Sequence, residues 1–266
     1  MNNKLELEIV KSRRFTEIEA YKKLRSNLQF CGKDIKVISF TSSLQDEGKT
    51  QVSFNLCVSL AEMGKKVLFV DSDLRNSSFT RDRKVTIETI GLAHYLIGEK
   101  TAEEIIYETQ MENLYVVTAG AFPPNPSELL STDSYGEFIA YARQHFDYVI
   151  VDNAPLGLVI DCAITAEHSD GVVMVIEQGR ISRILAKSVV DQLKKSDCKI
   201  LGVVVNKATS NDGGRGYGYG YGYYGYPYGS EKTPDARTRQ PIERKVREVN
   251  KEPRDSKKSD KKKAKK

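Results

Sequence analysis

The sequence predicts an α/β layered fold, a mostly parallel β-sheet sandwiched by helices, with a functional site at the carboxyl ends of the strands. Three observations carry that reading. Six short apolar runs rich in β-branched residues, of the kind buried on both faces of a parallel sheet, alternate with stretches of helical periodicity. The first run passes through a polar loop directly into a long helix. And 266 residues suffice for one large domain whose core needs no disulfide or metal staple.

Met1 to Phe15 mixes charged and apolar residues without a continuous hydrophobic stretch, so it does not read as a signal peptide and the chain is expected in the cytoplasm. A helix is expected over 16–30, where Thr16 and Glu19 have capping-box spacing and Ile18, Tyr21, Leu24 and Leu28 share one stripe. Ile35–Phe40 is the first strand and Gln51–Met63 the helix after it, stopped at Gly64. Further strands are expected at Val67–Val70, Tyr115–Val117, Tyr148–Val151, Val172–Ile176 and Ile200–Val205. Helical stretches lie between them near 91–107, 127–145, 161–168 and 182–195. No apolar run approaches the roughly 18 residues of a membrane helix. Cys31, Cys57, Cys162 and Cys198 form no C-x-x-C pair and read as reduced core thiols.

The net charge of +5 is unevenly spread. Ala208–Lys266 holds 16 Lys and Arg against 8 Asp and Glu, a net +8, which leaves −3 for the first 207 residues. Composition shifts at the same place, setting a domain over 1–207, a Gly/Tyr-rich segment over 208–229 and a polybasic tail over 230–266. Neither of the last two can bury enough apolar surface to offset its ordering entropy, so both are expected to be disordered. Seven of the fourteen tyrosines (Tyr217, Tyr219, Tyr221, Tyr223, Tyr224, Tyr226 and Tyr228) crowd into the Gly/Tyr segment. The formal G-x-G-x-x-G at Gly220–Gly225 has no helix pattern after it and is no dinucleotide site. A low-complexity linker, or a sticky aromatic segment that self-associates or stacks on nucleic acid, is the bland alternative; no nucleic acid is expected.

Ser43-Leu-Gln-Asp-Glu-Gly-Lys-Thr50 stands between the first strand and its helix, the context of a Walker A phosphate loop, with Ser43 replacing the first glycine. Backbone N–H groups and the helix N-terminus would hold phosphates, Lys49 would face the β and γ phosphates, and the Thr50 hydroxyl would ligate Mg2+. The second strand ends in Asp71-Ser-Asp73-Leu-Arg75, and the fourth in Asp152-Asn-Ala-Pro155. Aspartates after apolar strands beside a phosphate loop are the Walker B arrangement for the metal that bridges the β and γ phosphates. The fold is therefore expected to be a P-loop NTPase-type sheet.

T-S-x-x-x-x-E-G-K-T at 41–50, D-S-D-L-R at 71–75, N-P-S-E-L-L at 125–130, D-N-A-P at 152–155 and the terminal tyrosine cluster together closely resemble the bacterial tyrosine kinases of capsule and exopolysaccharide assembly. The resemblance covers roughly residues 16–228. It implies ATP-dependent phosphorylation of the C-terminal tyrosines, one subunit acting on its neighbour in a homo-oligomeric ring. It implies a catalytic set of Lys49, Asp71, Asp73 and Asp152, with Asp71 as the base, and a magnesium site of Thr50, Asp71 and Asp152. The nucleotide-contacting set becomes Ser43, Asp46, Glu47, Gly48, Lys49, Thr50, Gln51 and Arg75, with Asn206 at the adenine. The family's E-x-x-R-x-x-R subunit contact falls on Glu19, Lys22 and Arg25, and Lys22 departs from it, since lysine lacks arginine's bidentate fork. The implied partner is a membrane adaptor of the polysaccharide co-polymerase type, which would hold the kinase at the inner face of the cell membrane.

Two alternatives remain beside the kinase: a positioning or partitioning ATPase of the same fold, whose early signature lysine would fall at Leu44, and a nucleotide-binding scaffold without kinase activity. The basic tail has a solvated end as its bland reading and attraction to an anionic membrane surface as its functional one. Each phosphotyrosine adds about −1.5 to −2, so roughly four to six would cancel the adjacent charge. Phosphorylated protein is accordingly expected to bind anionic vesicles more weakly at low salt, and equal binding would dispose of this electrostatic switch. Gln45-Asp46 stands where the family has Pro-Gly, which sets an extra carboxylate beside triphosphate. Asp46→Gly is therefore expected to tighten ATP binding in a titration, and unchanged affinity would remove the repulsion argument.

Overall fold

The computed structural model describes residues 3–9, 14–195 and 198–208. The tyrosine cluster and the polybasic tail lie outside the described residues. Among the described residues, eight strands form one sheet: β1 (Lys4–Leu5), β2 (Val37–Ser42), β3 (Val67–Asp71), β4 (Tyr107–Thr109), β5 (Leu114–Val117), β6 (Tyr148–Asp152), β7 (Gly171–Glu177) and β8 (Ile200–Asn206). Their order is β1-β4-β5-β3-β6-β2-β7-β8, parallel throughout except for the antiparallel β4–β5 pair. Six of the eight are the expected strands, shifted by one or two residues. β1 and β4 escape sequence reading because two or three residues are too few to show a period.

Alternation within the strands decides which layer each side chain joins. Phe69 and Ile150 pack with α2 (Lys49–Ala61) and α1 (Phe15–Phe30), whereas Leu68, Val70, Val149 and Val151 pack with α7 (Asp133–His145) on the opposite face. Towards β8, α8 (Asp161–Ala166) and α9 (Arg183–Lys195) cover Val172 and Met174. The central strands are buried at every position, as a sheet covered on both faces requires.

Several helices differ from expectation for local reasons. The stretch 91–107 breaks into α4 (Leu92–Leu96) and α5 (Ala102–Ile105), because Gly98 takes a left-handed turn (φ 78°). There the Glu104 carboxylate accepts the Thr101 N–H at 2.8 Å to begin the new helix. The stretch 127–145 divides likewise into α6 (Pro126–Leu130) and α7. α1 begins at Phe15, with Arg14 at its N-cap and no side-chain cap, so the Thr16–Glu19 capping box does not form. Cys57 and Cys162 are core thiols, pushed up by burial, Cys162 to about 12; Cys31 and Cys198 are only half-buried.

One further short helix, α3 (Phe79–Asp82), follows the Asp71–Arg75 loop. Fully buried Phe79 stacks on Phe69 at 4.6 Å between ring centroids and tilts against Phe54 at 5.3 Å. The Arg83 guanidinium lies 4.2 Å over Phe54. That aromatic cluster anchors the wall facing the phosphate loop.

Candidate active site

β2 ends at Ser42 and α2 begins at Lys49, leaving a tight turn over 43–48. Glu47 is folded inward and is 1% exposed. Its Oε2 accepts the N–H groups of Ser43 (2.7 Å) and Leu44 (2.8 Å), and its Oε1 that of Glu177 (3.1 Å). The carboxylate thus braces the loop from within. Asp46 takes a left-handed φ of 62° with its side chain exposed, and Gly48 takes 84°. The left-handed φ is what favours glycine here, and a Cβ would also meet Asn206 Nδ2 at 2.1 Å and push that amide off the Glu47 carbonyl. As the N-cap of α2 it offers no side chain, so the first-turn N–H groups of a 13-residue helix stay available to an anion.

The next residues converge on Asp152, at the end of β6 and 1% exposed. Lys49 Nζ lies 2.8 Å from its Oδ1, Thr50 Oγ1 donates to its Oδ2 at 2.6 Å, and Ser53 Oγ donates to Oδ1 at 3.2 Å. Asp71 is the direct register partner of Asp152 across β3–β6, so both carboxylates reach the same strand end. Burial, followed by the Asp152 charge, pushes the Asp71 carboxyl up to about 7, against the Ser77 hydroxyl bonded to its Oδ2 and the charge of Lys49. Asp73 caps the following turn, its Oδ1 accepting the N–H of Arg75 at 3.3 Å and of Asn76 at 3.0 Å.

Around these groups lies an open cleft of about 340 Å³, whose walls include Asp46, Glu47, Gly48, Lys49, Thr50, Gln51, Asp71, Asp73 and Asp152. Three expected residues stand off it. Ser43 turns its N–H to Glu47. Asn206 donates from Nδ2 to the Glu47 carbonyl at 2.9 Å, seated against the loop. Arg75 departs most: its Nε and Nη2 hold Asp161 at 2.6 and 3.0 Å, and Nη2 also donates to Ser127 of the N-P-S-E-L-L segment at 2.6 Å. Its guanidinium ties the loop after β3 to the first turns of α6 and α8. Glu19 and Lys22 pair with each other on the α1 surface (2.8 Å), while Arg25 Nη1 donates to the Ser59 carbonyl of α2 at 2.7 Å, a contact within the chain.

Ser53, Ser77, Arg81, Arg83 and Lys207 belong to the neighbourhood without having been expected there. Ser53 had a signal, one helical turn beyond Thr50 on the same face. Lys207 had none beyond adjacency to Asn206; its Nζ donates to the Asp46 carbonyl (2.7 Å) and pairs with Glu177 (3.0 Å). Among the described residues no cluster of three or more His, Cys, Asp and Glu forms a ready metal centre. The hard oxygens of Thr50, Asp152 and Asp71 nonetheless fit Mg2+, which commonly completes its shell with phosphate and water.

A family model described as an AAA domain matches residues 35–200. Tyrosine-protein kinase CpsD of Streptococcus agalactiae is 40% identical over 209 residues, 77% of this chain and 91% of that protein. Succinoglycan biosynthesis transport protein ExoP of Rhizobium meliloti is 32% identical over 78% of this chain but only 27% of its own length. Among solved structures, the kinase domain of Escherichia coli tyrosine kinase ETK superposes with a TM-score of 0.68 at 30% identity, covering 77% of this chain and 80% of that one.

A raised carboxyl pKa means that between about pH 4 and 7 the folded protein keeps a proton the unfolded chain has released. Asp71 therefore weakens stability increasingly as pH rises across that window, and fully above it. Asp71→Asn is expected to raise the unfolding free energy of the magnesium-free protein by on the order of 4 kcal/mol at pH 8, the gain vanishing near pH 4. Denaturant melts across that range test it, and a gain independent of pH would contradict it.

Proposed function

Because the chain belongs to the bacterial tyrosine-protein kinases, we propose that it transfers the γ-phosphoryl group of ATP to tyrosines 217–228 of its own chain type, between subunits of a homo-oligomeric ring. The observation that carries this reading is the convergence of Lys49, Thr50, Asp71 and Asp152 on one cleft at the strand ends. Loop N–H groups and Lys49 would bind the phosphates; Thr50 and Asp152 would hold Mg2+ with Asp71 beside them. The ion would offset charge on the β and γ phosphates. A phenol has a pKa near ~10, so its proton needs an acceptor as the phosphoryl group arrives. Asp71, pushed up to about 7, suits that role at neutral pH. Lys49 supplies positive charge where the transferring group carries negative charge, and Asp73 shapes the turn beside the base.

The acceptor segment starts close by. β8 ends with Asn206 against the phosphate loop, and a chain of nine residues from Ala208 to Tyr217 spans roughly 15–18 Å r.m.s.. A membrane adaptor of the polysaccharide co-polymerase type is the proposed activator. It would keep the kinase peripheral at the inner face of the membrane, where it would regulate capsule or exopolysaccharide synthesis, with the basic tail adding attraction to anionic lipid. No helix among the described residues is long and apolar enough to cross a membrane.

Purified protein incubated with Mg2+ and ATP, with and without the adaptor's cytoplasmic tail, is expected to carry phosphate on tyrosines 217–228 by mass spectrometry, and Lys49→Met to carry none. ATP hydrolysis without phosphotyrosine would indicate a positioning ATPase, and neither activity a scaffold.

A further inference from the structure

The Asp71 carboxylate already has a hydroxyl on it. Oδ1 accepts the Asp73 N–H at 3.3 Å, which leaves Oδ2 for an incoming acceptor, and Oδ2 is bonded to Ser77 Oγ. Asp71 is 1% exposed, so little room remains beside that oxygen for a second donor. Ser77 is held there from behind. Its Oγ also accepts the N–H of Phe79 at 3.2 Å, and Phe79 is locked into the aromatic cluster. Ser77 nonetheless lines the cleft, with Lys49, Thr50 and Asp152 on the same walls.

We propose that Ser77 is a positioning residue whose hydroxyl holds the acceptor's place on Asp71 and is displaced by each incoming tyrosine, so that it sets how strongly the kinase takes its acceptor. The inference rests on Asp71 being the base. In the transfer, the phenol oxygen forms a bond to the γ-phosphorus, the bond from that phosphorus to the leaving ADP oxygen breaks, and the phenol proton passes to Asp71 Oδ2. The phenol must first donate to that same oxygen, which the serine hydroxyl occupies. Removing the hydroxyl relieves the competition without touching the phosphate loop, and its effect falls on acceptor binding rather than on ATP.

The test compares full-length wild type, Ser77→Ala, Ser77→Thr, Ser77→Cys and Asp71→Asn, reading initial rates with a synthetic peptide of residues 213–229 varied at saturating ATP, and with ATP varied at saturating peptide. Ser77→Ala is expected to lower the peptide KM at least about tenfold, the scale of one charge-assisted hydrogen bond released, with the ATP KM unchanged. Ser77→Thr, which restores the hydroxyl, returns the wild-type KM. Ser77→Cys, a weaker donor of similar size, moves it the same way by less, and thermal melts establish that each variant is folded. A peptide KM unchanged or raised in folded Ser77→Ala, while Asp71→Asn is inactive, overturns the placeholder and leaves the base standing. Full activity in Asp71→Asn overturns the base, and this inference with it.

Discussion

The Asp152 carboxylate, buried at the end of β6, is the point at which the Lys49 ammonium and the hydroxyls of Thr50 and Ser53 meet. A buried charge of this kind is costly unless it is paired and its remaining lone pairs are satisfied, and here one cation and two hydroxyls do so. Those three donors all sit on the first turns of α2. Docking that helix against β6 and satisfying Asp152 are one event, and the phosphate loop is closed as a consequence.

The loop itself is made rigid by a second buried carboxylate. Glu47 gathers two N–H groups from the start of its own turn and one from the end of β7, so the loop holds its shape through the protein's own hydrogen bonds. Asn206 and Lys207 grip two carbonyls of the same loop from the end of β8. The end of β8 is thereby fastened to the phosphate loop. Pre-organisation of this sort spares reorganisation at the moment of transfer.

What was legible in the sequence was whatever depended on local chemistry. The first strand, the loop and the helix after it carry a period, a glycine and a charged residue at fixed offsets, and they fold within two residues of where those signals put them. Asp71 and Asp152 were legible because each ends an apolar run. The unread parts depend on partners far along the chain. Nothing near Arg75 announces Asp161, which lies 86 residues away, and nothing in E-G-K-T distinguishes a glutamate facing phosphate from one turned under the loop. The Thr16–Glu19 spacing misled for a related reason: α1 begins one residue earlier, and Glu19 is spent on Lys22. β1 becomes a strand only because β4 is beside it.

Transfer between subunits is the claim on which the functional account turns, and mixed chains test it most directly. One chain carries Lys49→Met with its tyrosines intact; the other keeps Lys49 with the seven tail tyrosines changed to phenylalanine. Neither alone can label a tail tyrosine. Mixed with Mg2+ and ATP, the Lys49→Met chain is predicted to acquire phosphate on tyrosines 217–228. Its remaining unlabelled, while wild type labels normally under the same conditions, would contradict the account.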